Sequence, residues 1–249
     1  MRAPTITISI VSHGHGPAVR YLVAQLNELH AGCVAHVVVT HNLPCATLFP
    51  VPDHLPFRLT EQVNKTPLGF GANHNNAFGH CETDYFCVVN PDIILETDAL
   101  WPSLVVPFKD SEVGCVYPVS LAPDGSLQDS ERELVTPSAL LRRHLAGMPP
   151  RRVDWVSAAF LLVSSKAWRS IGGFDERYHM YCEDVDFCMR LQLAGWTLVR
   201  APIRVVHVGA RQSRRKYQHL FWHISSLLRL WMSPAFYRYR RQFSRGNAG

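Results

Sequence analysis

The chain predicts an α/β fold with a mostly parallel central sheet flanked by helices. Short β-branched runs recur at 5–11, 36–41, 57–63, 85–90 and 114–121, and apolar residues at helical spacing fill 18–30 between the first two. Each run is followed by small or polar residues that break the apolar pattern. Strand, helix and strand in series argue for parallel pairing with helices packed on the faces. Ligands of such sheets collect beyond the carboxyl ends of the strands. The segments to inspect are therefore "SHGHG", "HN", "NKTPLGFGANHN" and "NPD".

The second half is organised differently. Residues 122–152 are rich in Pro, Gly and charge and read as a mobile surface excursion. A strand over 153–165 and a short helix to Ile171 follow, then a "GGFDE" turn, a helix from Val185 that Gly195 ends, and a strand over 197–209 broken at Pro202.

With 249 residues, 47% of them hydrophobic, the chain can bury a real core. Seven cysteines without a CxxC pair suggest neither a disulfide framework nor a structural zinc site, and reduced cytosolic thiols are expected. The N-terminus runs straight into a strand pattern, so no export signal and no spanning helix are expected. The net charge of +5 hides an asymmetry, because residues 211–249 hold nine Lys/Arg and no acid, against 16 Lys/Arg and 20 Asp/Glu before them. Such a tail points to an anionic partner.

Three acids, Glu183, Asp184 and Asp186, crowd the start of the second-half helix behind "YHMYC". Asp184 as a helix cap with neighbours opposing the macrodipole is one explanation. A partly desolvated base held against aromatic surface is the other. Asp92 of "NPD" is similarly either a turn residue or a ligand for a hard cation that keeps its waters. The glycines of "GFGANHN" suit a ligand loop or an ordinary turn.

In order, "ISIVSHG", "GFGANHN", "NPD", "DWVSAAFLLV", "GGFDERYHMYCEDVDFCMRLQLAG" and "PIRVVHVG" resemble the inverting family 2 glycosyltransferases of the GT-A fold, in particular bacterial rhamnosyltransferase-like members of surface polysaccharide pathways. The resemblance spans about residues 5–213. It implies a single GT-A domain over 1–213, with a nucleotide-sugar half (1–121) and an acceptor half (122–213), and a C-terminal helical appendage over 214–249. Asp184 is implied as general base, with Glu183 as the second candidate. Ser12, His13, His41, Asn42, Gly69, Gly71, Asn73, Asn90 and Asp92 are implied on the nucleotide-sugar side, and Asp154, Trp155 and Asp186 at the acceptor pocket. Asp92 and His207 are implied to hold Mg2+ or Mn2+. Two departures stand out: His41-Asn42 replaces the usual Asp-Asn pair that reads the base, and Ala158 replaces a frequent glycine.

The implied reaction moves a sugar, a deoxyhexose such as rhamnose among the candidates, from a nucleotide-diphospho-sugar to a glycan or polyprenyl-linked acceptor. A sugar-phosphate nucleotidyltransferase would want a Gly-rich basic loop after the first strand, which "SHGHGPAVR" supplies poorly, and an inactive binding module would not need both Asp92 and Asp184. In 214–242, Tyr217, Leu220, Phe221, Ile224, Leu227, Leu228 and Trp231 form one helical stripe with only basic charge around it. It fits either packing on the body or another subunit, as in a homo-oligomer, or an anionic membrane surface. The expected location is cytoplasmic, at the inner face of the cell membrane if the helix binds lipid. Nucleic acid is not an expected partner, since the acidic body offers no groove for it.

Overall fold

A computed structural model describes residues 4–44, 54–136, 152–209 and 216–243. The mobile excursion expected at 122–152 lies largely outside them. Its described part, residues 122–136, includes a paired strand.

The elements run β1 (Ile6–Ser12), α1 (Gly16–Glu28), β2 (Val34–His41), β3 (Arg58–Val63), α2 (Phe70–Phe78), β4 (Tyr85–Val89), β5 (Ile93–Ile94), α3 (Leu100–Val105), β6 (Val113–Leu121), β7 (Glu131–Arg132), β8 (Trp155–Val156), β9 (Phe160–Ser164), α4 (Ser165–Ile171), α5 (Glu183–Leu193), β10 (Thr197–His207), α6 (Lys216–Met232) and α7 (Pro234–Phe243). Eight strands form one sheet in the order β3-β2-β1-β4-β9-β6-β10-β5, and β7 pairs with β8 apart from it.

The parallel expectation holds on both flanks. β1 lies parallel to β2 and β4, β2 to β3, and β6 to β10. It fails in the middle, where β9 runs antiparallel to both β4 and β6. The reason is topological: β6 ends on the carboxyl edge, the chain returns through β8 on that same edge, and the next strand must therefore run the other way. Pro202 does not break β10; its pairing with β6 shifts register between Arg200 and Arg204, which places the proline in an irregularity where no ladder hydrogen bond is lost.

Two apolar layers sandwich the sheet. On one face α1 buries Val19, Leu22, Val23 and Leu26 against Ile6, Ile8 and Ile10 of β1. On the other, Trp168 of α4 packs with Phe78, Phe86, Phe174 and Phe187. The C-terminal segment expected as an appendage joins this second layer, with Leu230, Phe236 and Tyr239 buried in it. The Tyr239 hydroxyl donates to Asp154 at 2.9 Å, and the Trp231 indole N–H donates to the Val135 carbonyl at 2.7 Å.

Candidate active site

Because β1, β2, β3, β4, β6 and β10 share one direction, their carboxyl ends gather on one edge together with the start of the antiparallel β9. Ser12, His41, Asn90, Asp92 and His207 all stand on or just past that edge. The Asn90 N–H donates to Ala159 at 2.8 Å, and the Val208 N–H donates to the Asp92 carbonyl at 3.0 Å.

The helix start reaches the same place. Asp184 accepts hydrogen bonds from the N–H groups of Val185, at 2.9 Å, and Ala158. Ala158 and Ala159 are chain neighbours, so Asp184 and Asn90, the latter two residues before Asp92, are bonded to adjacent residues of one short segment. This adjacency joins two segments that lie far apart in the chain.

Asp184 does not cap its helix. The cap position belongs to Cys182, which makes no side-chain cap bond, and Tyr181 and Cys182 have φ of 72° and 64°. Two consecutive non-glycine residues in the left-handed region mark a strained approach that turns Glu183 and Asp184 into the first helical turn. Burial pushes both carboxyls above the ordinary range; for Glu183 the Asp184 charge adds to the shift, whereas for Asp184 the Val185 and Ala158 amides and the Arg132 guanidinium oppose it. Glu183 Oε2 is buried without a partner. The pair therefore ionises at Asp184 first, leaving Glu183 with the proton. Asp184 as a residue is half-buried.

Opposite, the His207 Nε2 atom lies 3.4 Å from Asp92 Oδ1. Gln128 decides what that nitrogen can do. Its amide nitrogen donates to the His207 carbonyl at 2.6 Å, so its oxygen must face Nδ1, 2.9 Å away, and Nδ1 must carry the ring proton. In the neutral ring the Nε2 lone pair then points toward a carboxylate oxygen, an arrangement that a cation between them relieves. Among the described residues no three His, Cys, Asp or Glu side chains converge as a full metal cage. Two ligands from protein fit a hard ion that completes its shell with water and ligand oxygens.

The remaining expected residues divide. Ser12 and Asn42 are joined at the strand ends: the Asn42 N–H donates to the Ser12 carbonyl at 2.7 Å, and the Asn42 side chain ties Leu68 and Asn64 together. His13 is exposed beside Asn42. His41 is buried with Nε2 2.7 Å from Glu61 Oε2, so a carboxylate on β3 faces the imidazole at the end of β2. Gly69 and Gly71 face protein: a Cβ on Gly69 would lie 2.8 Å from the His179 carbonyl, and one on Gly71 2.6 Å from Phe174 Cβ. Asn73 is fully buried and bonded to Asn64 and Gly69, which makes it a brace for this loop.

Three expected pocket residues turn away. Asp186 is buried in an ion pair with Arg190 at 2.6 Å. Asp154 takes the Leu134 N–H, the Tyr239 hydroxyl and Arg152. The Trp155 indole N–H donates to Glu133 at 2.8 Å under the Arg132 guanidinium. The polar atoms in these contacts are partnered inside the fold. Sequence reasoning missed Gln128, Arg132 and Glu61, whose positions carry no motif signal of their own.

The profile of glycosyl transferase family group 2 matches residues 136–246. The rhamnosyltransferase WbbL of Escherichia coli (strain K12) is 28% identical over 90% of this chain and 91% of its own length. The chain is a glycosyltransferase of the GT-A fold, similar to family group 2 over its second half. An N-acetylglucosaminyl-diphospho-decaprenol L-rhamnosyltransferase of Mycobacterium tuberculosis is 31% identical over 61% of this glycosyltransferase, which spans 56% of that protein. Among solved structures, the mannosyltransferase PcManGT from Pyrobaculum calidifontis, in complex with GDP-Man and Mn2+, superposes with a TM-score of 0.61 at 15% identity, covering 92% of this chain and 65% of its own. Glucosyl-3-phosphoglycerate synthase from Mycobacterium tuberculosis, with Mn2+ and UDP, gives 0.58 at 16%, covering 91% and 79%. At these identities the superpositions speak for the fold.

Proposed function

We propose that this glycosyltransferase moves a deoxyhexose, rhamnose in the first instance, from a nucleoside-diphospho-sugar to a polyprenyl-diphosphate-linked glycan at the inner face of the cell membrane. The observation that supports it is that Asp184 and Asn90, two residues before Asp92, are bonded to the neighbouring residues Ala158 and Ala159. The rhamnosyl and polyprenyl parts follow the names of the two relatives above.

Asp92 and His207 would hold a Mg2+ or Mn2+ ion, which supplies charge neutralisation for the departing diphosphate. Gln128 keeps the His207 lone pair available, and Ser12, Asn42 and the His41–Glu61 pair shape the nucleotide side. An acceptor hydroxyl is too weak an acid to ionise beforehand, so Asp184 takes its proton while the new C–O bond forms. Arg132 keeps Asp184 ionised in a setting that burial would otherwise neutralise. Attack from the face opposite the diphosphate gives one displacement and an inverted anomeric centre.

The test is product analysis. Nucleoside-diphospho-rhamnose and a polyprenyl-diphospho-N-acetylglucosamine acceptor should give one disaccharide lipid, inverted by NMR, and only with a divalent ion present. Retained configuration, or full turnover in chelator, contradicts the reading.

A further inference from the structure

The helix α6 is apolar on both sides. Its inner side packs on the body: Leu230 and Ser226 are buried, and Leu227 and Trp231 lean on the core. The single stripe expected from the sequence is therefore split. Its other members face out, with Leu220, Phe221, Ile224, Leu228 and Met232 exposed by 57%, 70%, 51%, 49% and 72%. The side chain of Tyr217 lies outside the described residues. A surface helix normally turns polar residues outward, and an exposed apolar strip of this length marks an interaction site.

Charge says what covers it. Arg229 on this helix and Arg238, Arg240 and Arg241 on the following α7 are exposed, and no acid occurs from residue 211 to the end. A second copy docking symmetrically would bring these arginines against their own kind, whereas an anionic lipid surface accepts both the apolar strip and the charges.

The inner side of the same helix holds the approach to Asp184. Ser226 Oγ donates to the Met180 carbonyl at 2.8 Å, the Tyr181 hydroxyl and His219 Nδ1 are 2.8 Å apart, and Trp222 packs on His179 with ring centroids 4.8 Å apart. These contacts grip the residues that precede and form the left-handed turn at Tyr181 and Cys182.

We propose that α6 docks on an anionic membrane and, through its grip on 179–182, ties the setting of the catalytic carboxylate to that docking. The coupling part rests on the reading of Asp184 as the base.

The full chain would be sedimented with phosphatidylcholine vesicles and with vesicles carrying about a third phosphatidylglycerol. Binding only to the anionic vesicles, weakened by salt and reduced about tenfold or more in Phe221→Glu/Leu228→Glu, is the expected result. Equal binding by that variant, no binding by the native chain, or a native dimer that the variant turns into a monomer overturns the docking. With a water-soluble acceptor, anionic vesicles should raise kcat for the native chain and leave the variant at the same basal rate. A native kcat indifferent to vesicles overturns the coupling. Asp184→Asn should bind vesicles normally, so a failure of the base assignment is read separately.

Discussion

The strand ends and the start of α5 hold their carboxylates in opposite ways. Asp92 sits on a turn past β4, its side chain 21% exposed beside an imidazole whose Nδ1–H is held by Gln128. Asp184 sits in the first turn of α5, behind two strained residues, with amide donors and a guanidinium set against the cost of its burial. The first setting suits a hydrated cation, and the second suits a group that must be charged yet hungry for a proton. The difference teaches that residue type alone assigns neither role; solvation does.

The sharpest way to break this contrast is to remove the charges at α5 one at a time. Asp184→Asn should lower kcat by about 10²–10⁴-fold. Glu183→Gln should retain most turnover, and a reversed pattern would move the base to Glu183.

Next comes the imidazole. Gln128→Leu frees the His207 ring and should weaken Mn2+ affinity in the presence of a nucleoside diphosphate by about 10–100-fold, read by titration calorimetry. Gln128→Glu keeps an acceptor for Nδ1–H and should recover most of that affinity. Equal losses in both would mean that Gln128 only anchors the end of β10.

The pH dependence sharpens the same contrast. In the proposed role Asp184 works ionised, and burial raises its pKa, so kcat/KM should fall as pH drops through a value above the ordinary carboxylate range. Stability runs the other way: the folded state holds these protons more tightly than the unfolded chain, so stability is lost as pH rises from the ordinary carboxylate range through the raised values. Glu183→Gln removes part of that loss and should raise Tm more at about pH 8 than at about pH 5. No difference between the two pH values would mean that Glu183 is not held protonated.

The smallest effect belongs to the residues that turn away from the cleft. Tyr239→Phe loses hydrogen bonds to Asp154 and Gln192 and should cost about 1–3 kcal/mol in denaturant unfolding without changing kcat. A change in kcat with stability intact would restore Asp154 to the acceptor pocket.

Much of this was legible in the chain. Strand ends placed Ser12, His41, Asp92 and His207 on one edge because parallel strands leave little choice. The roles given to Asp154, Trp155 and Asp186 were not legible, because lying near a motif does not fix where a side chain points. Two residues along a helix is a rotation of about 200°, which carries Asp186 from the cleft to the core. Gln128 and Arg132 come from the stretch between β6 and β8, whose Pro, Gly and charge read as surface. Their importance arises only when β7 pairs with β8 and the chain folds back over the edge. The antiparallel β9 escaped for a related reason, since strand direction depends on where the preceding excursion returns.

The central claim is that Asp92 and Asp184 serve one bound sugar nucleotide in different capacities. It is tested most directly by titrating Asp92→Asn and Asp184→Asn with the nucleoside-diphospho-sugar donor, with and without Mn2+. The account predicts that Asp184→Asn keeps native, metal-enhanced affinity while Asp92→Asn loses the enhancement. Metal-enhanced binding that survives in Asp92→Asn, or vanishes in Asp184→Asn, would contradict it.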